Sequence, residues 1–98
     1  MANDPALVET VRGEAMVGNP HALYALGLIY AEGRGVQRNL VAAYAWLTVA
    51  VMHGDADAEL LRNHVAIDMT DEEFDEGKRC AASYQEDIRA SMKSSTSH

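Results

Sequence analysis

The sequence is short of cysteine, proline, basic side chains and long apolar runs. Cys80 stands alone in 98 residues, so no disulfide forms within the chain, and a reducing compartment is compatible. Both prolines follow a good helix-capping residue, as Asp4-Pro5 and Asn19-Pro20. Eight Lys and Arg stand against fifteen Asp and Glu, a net charge of −7. An acidic surface repels phosphate, which argues against nucleic acid as a partner. The most apolar stretch, Leu40–Met52, falls short of the roughly 20 residues a membrane span needs. The opening MANDPALVET lacks the basic-then-apolar order of a secretory leader, so the expected location is the cytoplasm.

What is present is 48% apolar residues, enough for one small core and one domain. The informative stretch runs from Ala22 to Ala58. Ala22, Leu26, Ile29 and Tyr30 fall at i, i+4, i+7 and i+8, one face of a helix. Gly27 lies inside that helix at a cost of about 1 kcal/mol relative to alanine, tolerable where another backbone comes close. Gly33 suits the left-handed position past a helix end, Gly35 lets the chain turn back, and Val36 plugs the turn. Asn39 caps a second helix from Leu40 to about His53, apolar almost all round and therefore buried on several sides. Gly54 ends it.

Read together, Ala22, Leu26, Gly27, Tyr30, Gly33, Gly35, Val36, Asn39, Ala43, Trp46, Ala50, Gly54 and Ala58 resemble, in order and spacing, the signature of the Sel-one-like repeat, a relative of the tetratricopeptide repeat. The family usually has Asp where this chain has Asn39, and Ala where it has Val51. Asn still caps a helix, so the fold expectation stands. The resemblance implies an all-α, α-α superhelix of about five helices: one full repeat, a flanking half-repeat and a C-terminal cap.

Taken in order, Leu7, Val11 and Ala15, with Val8 beside them, give a leading helix (residues 4–18) one apolar face, and Gly18 closes it. The core repeat spans 20–54. Gly18 and Ala22 recur as Gly54 and Ala58 at an offset of 36 positions, a helical-solenoid period. Residues 55–92 read as capping helices. Asp55 or Asp57 starts the first of them, with Ala58, Leu61 and Val65 along one face. Here the repeat decays, because Arg62-Asn63 replaces Leu26-Gly27. Thr70 and Glu73 form a capping box before a last helix whose apolar face is Phe74, Cys80 or Ala81, Tyr84 and Ile88. A single domain over 1–92 is followed by a Ser- and Thr-rich stretch, 93–98, that reads as a disordered tail. Charge follows this division. Residues 1–54 hold four acids and three bases (net −1); residues 55–98 hold eleven acids and five bases (net −6).

No catalytic constellation stands out. Gly33-Arg34-Gly35 lacks the remaining glycine and the strand of a dinucleotide loop. His21, His53, His64 and His98 show no metal-ligand spacing, and the acids Asp68 to Glu76 lack the pattern of a calcium loop, so neither metal nor cofactor is expected. Cys80, near Lys78 and Arg79, reads as a small helix residue. Some cysteine-rich members of the family are β-lactamases, but this chain has neither their cysteines nor a Ser-Lys motif. The resemblance implies a non-enzymatic adaptor or scaffold, often bacterial, that binds a protein or peptide. The candidate contact residues are Leu23, Tyr24 and Leu28 on the repeat's first helix and Arg34 and Arg38 of the turn. Two alternatives stay open. One is a self-associating structural protein, whose homodimer covers the apolar Leu40–Met52 helix. The other is a small hydrolase using His64 and the Asp68–Glu76 cluster.

Overall fold

The all-round apolar helix sets the architecture, because it needs neighbours on several sides. In a computed structural model, which describes residues 5–96 and side chains through Met92, it has them. The described residues form five helices: α1 (Pro5–Ala15), α2 (Pro20–Glu32), α3 (Leu40–Met52), α4 (Ala56–Ile67) and α5 (Asp71–Thr96). Helix α3 packs against α2, α4 and α5, and α1 packs against α2. Ala43, Ala45, Leu47, Val49 and Ala50 of α3 are fully buried, and Ala42, Tyr44 and Trp46 nearly so. Most of its apolar surface is thus covered within one chain, with Met52 at its end left 57% exposed. The molecule is an all-α helical repeat. None of the described helices is both long and apolar enough to cross a membrane.

The helix ends are built as the sequence predicts. Gly33 sits at φ 71° and its N–H donates to the Ile29 carbonyl, closing α2. Asn39 accepts from Ala42 N at 3.0 Å to open α3. Thr70 and Glu73 bond reciprocally, Thr70 N to Glu73 Oε1 at 2.9 Å and Glu73 N to Thr70 Oγ1 at 3.1 Å. The Asp4 cap expected for α1 and the last histidine, His98, lie outside the described residues.

The 36-residue offset holds down to individual hydrogen bonds. At the α1–α2 joint, Gly18 has φ 82°, and Asn19 Oδ1 accepts from His21 N at 3.0 Å and Ala22 N at 3.3 Å. At the α3–α4 joint, Gly54 has φ 99°, and Asp55 Oδ1 accepts from Asp57 N at 3.0 Å and Ala58 N at 3.2 Å. The two alanines are buried, at 5% and 0% exposure. Positive φ explains the two glycines, and burial without a larger side chain explains the two alanines.

The side of α1 facing the core is Val8 and Ala15, with Val11 partly buried; Leu7, expected there, is 49% exposed. Leu7 and Val8 differ by one 100° step, and the position of α2 decides between them. Gly27 lies against α3 as expected: a Cβ there would stand 2.5 Å from Leu47 Cγ and 3.4 Å from the Ala43 carbonyl oxygen.

Helix α5 departs from the repeat. It packs on α3 rather than on α4, its neighbour in sequence. Phe74 sits 5.1 Å from Tyr44 between ring centroids, Gly77 lies under the same tyrosine, and Tyr84 stacks on Trp46 at 4.1 Å. Gln85 Oε1 meets His53 Nε2 at 2.9 Å. These contacts advance in the same order along both helices, so α5 runs beside α3 in the same direction. Where composition predicts a disordered tail from Lys93, α5 continues through Thr96. Extending a formed helix adds a hydrogen bond for each residue fixed, so a modestly helix-prone end follows the helix that precedes it.

Candidate partner-binding surface

The five residues proposed from sequence are placed differently by the fold. Leu23 is fully buried and is corrected from a surface position to a core one. Its helix has α1 on one side and α3 on another, which widens the buried face beyond a single stripe. Tyr24 is half-buried and packs against the core, and Leu28 is half-buried. Arg34 is exposed and paired with Glu32. Arg38 donates from Nε to the Ala31 carbonyl at 3.1 Å, satisfying one of the open carbonyls at the end of α2. Tyr24, Leu28 and Arg34 thus remain as accessible groups on and near α2, and Arg38 is partly committed to its own turn.

Sequence reading missed two residues on α4. Leu60 and Ile67 are 70% and 77% exposed, on the side opposite the buried Ala58 and Val65. The signal was there as two aliphatic residues seven apart on an otherwise polar face. Only the surroundings of α4 show that nothing among the described residues covers them. With Ala56 and Asn63, also exposed, they fall at i, i+4, i+7 and i+11, a single stripe.

The aromatic groups gather where α5 meets the rest. Arg12 of α1 donates to the Tyr30 hydroxyl, and Tyr84 lies on Trp46. Burial pushes the Tyr84 phenol above its ordinary pKa, Cys80, Tyr30 and Asp87 add to the rise, and Arg12 opposes it. This cluster ties four helices together.

The other chemistry-bearing side chains stay apart. His64, Asp68, Asp71, Glu72, Asp75 and Glu76 are exposed, while Glu73 is held in the capping box. Among the described residues no three His, Cys, Asp or Glu side chains converge on a metal-sized site. Cys80 is half-buried and unbridged.

No family model matches the chain. Over 72 residues the chain is 31% identical to the alginate biosynthesis protein AlgK of Azotobacter vinelandii, an alignment covering 74% of this chain and 16% of that protein. The chain therefore spans about one sixth of the length of this curated relative.

Proposed function

We propose that this chain is a Sel-one-like, non-enzymatic interaction module that binds a protein or peptide through a helical surface. The observation that carries the reading is the duplicated joint, Gly18-Asn19 and Gly54-Asp55, with matching φ signs and matching cap bonds 36 residues apart. Stacked helical repeats expose extended faces rather than enclosed sites, and those faces serve binding. The likeness to a segment of AlgK supports the same reading at the level of architecture. Tyr24, Leu28 and Arg34 form the first face to test, with Leu23 withdrawn to the core. The test is a photo-crosslinking residue at Leu28 in the source cells. The module reading expects a discrete protein adduct that excess wild-type protein competes away. If crosslinkers on α2 and on α4 trap nothing while the purified chain turns over a small substrate, an enzyme replaces the module.

A further inference from the structure

We propose that the outer face of α4 is a docking site for one amphipathic helix of a partner protein, its apolar stripe flanked by Lys or Arg. This rests on the reading of the chain as an interaction module and names the kind of partner.

The internal repeat shows what the face lacks. A shift of 36 positions carries the α4 stripe Ala56, Leu60, Asn63 and Ile67 onto Pro20, Tyr24, Gly27 and Ala31 of α2. On α2 that stripe is covered at its centre, where Gly27 lies against Leu47 of α3, and Tyr24 and Ala31 beside it are partly buried against the core. The helix that would stand in the same relation to α4 is α5, but α5 is engaged with Tyr44, Trp46 and His53 of α3. The α4 stripe therefore remains uncovered, with Leu60 and Ile67 the two most exposed large hydrophobic residues described. The face continues an interface already present, because α4 itself lies against α3 and α2.

Charge selects the occupant. Asp57 and Asp68 lie along one flank of the stripe with His64, and Glu59 lies along the other; all are exposed. None of the three carboxylates belongs to an ion pair among the described residues, where the pairs are Arg12–Glu9, Arg34–Glu32, Lys78–Asp75 and Arg89–Glu86. Arg62, the arginine of α4, is half-buried on the inner side. A second copy pairing α4 with α4 would set these acids against one another. The exposed first turn of α5, with Asp71 and Glu72, would do no better. A helix with basic flanks gains attraction where a second copy meets repulsion. Helix α4 has 12 residues, so the partner contact is about 18 Å long.

The probe is a synthetic amphipathic peptide of about 18 residues, long enough to be helical once docked, with a leucine stripe flanked by lysine. Its control has glutamate in place of each lysine. Binding to the full chain is measured by titration calorimetry at low and high salt. The lysine peptide should bind, the glutamate peptide at least about tenfold more weakly, and added salt should narrow the gap. Leu60→Ser with Ile67→Ser should weaken the lysine peptide by at least about tenfold, while the circular dichroism spectrum stays that of the wild type. Asp57→Asn with Asp68→Asn should cost a few-fold and bring the two peptides closer. Equal binding of both peptides, no binding of either, or binding indifferent to Leu60 and Ile67 would each overturn the proposal. So would a concentration-dependent mass that the Leu60→Ser, Ile67→Ser protein loses, since the occupant would then be a second copy. If the peptides fail but a crosslinker at Leu28 traps a competed partner, the module reading stands and only the α4 site falls.

Discussion

Helices α2 and α4 leave their preceding helices through the same glycine turn and the same cap, yet only α2 closes on the helix that follows it. The difference lies in three side chains per helix. Leu23, Leu26 and Gly27 of α2 have Glu59, Arg62 and Asn63 as their counterparts on α4. The α2 set offers two fully buried leucines and a glycine that lets Leu47 approach. The α4 set offers two charges and an amide, and burying these without partners costs more than the contact returns. Helix α5 meets a better surface on α3, where Tyr44 and Trp46 receive Phe74, Gly77 and Tyr84. The lesson is that one repeat signature fixes a joint, whereas the far side of each helix decides what the next helix does.

The largest expected effect separates the two helices directly. Leu23→Ala should destabilise the chain by about 2–5 kcal/mol, the usual range for emptying a packed leucine site. Leu60→Ala, at 70% exposure, should stay within about 0.5 kcal/mol. Urea unfolding of both variants checks this, and equal losses would mean that α4 is covered after all. Next comes the glycine pair. Gly27→Ala would place a Cβ 2.5 Å from the branch carbon of a fully buried leucine, an overpacking of about 1–3 kcal/mol against about 1 kcal/mol gained in helix propensity. Gly77→Ala meets a single close atom, Tyr44 Cδ1 at 2.8 Å, so its melting temperature should fall less. A larger fall at Gly77 would make the α3–α5 contact the tighter of the two.

How far the fold could be read in advance follows from the range of each signal. The glycine turns at 33 and 54, the Asn39 cap and the Thr70–Glu73 box depend on residues a few positions apart, and they appear as predicted. The burial of α3 on several sides was legible for the same reason, since no polar stripe breaks it. The docking of α5 on α3 was not legible, because it depends on a comparison of distant surfaces. Gly77, which would read as a weak point in a helix, is the notch that admits Tyr44. Leu23 is buried because a second neighbour widens the buried face of α2, and the exposure of Leu60 and Ile67 is not legible because periodicity does not say which face stays uncovered. The 36-residue offset, by contrast, survives in the structure to the level of individual acceptors.

A smaller effect sharpens the equivalence of the two joints. Asn19→Ala and Asp55→Ala each remove a side-chain oxygen that accepts from two N–H groups. Each should cost about 1 kcal/mol. Thermal melts of the two variants should fall together, since the caps match bond for bond. A loss confined to Asn19 would mean that α4 can fray without unfolding the rest, and the repeat would then be equivalent in geometry but not in energy.

The finest test lies at the surface that α5 chose instead of α4. Tyr84 is stacked on Trp46, and burial, first among the causes, raises its pKa above the ordinary phenol value of about 10. In the unfolded chain the phenol ionises first, so between the two pKa values the unfolded state binds fewer protons than the folded one. Stability is then lost as pH rises. The Tyr84 contribution is therefore intact below about pH 10 and declines as pH climbs through the raised folded value. Tyr84→Phe keeps the ring for Trp46 and removes the ionisable group. Melting temperatures of wild type and variant should run parallel at neutral pH and separate in alkali, the wild type falling more steeply. Parallel curves throughout would mean that the hydroxyl reaches water freely, and that α5 rests on α3 more loosely than α3 rests on α2.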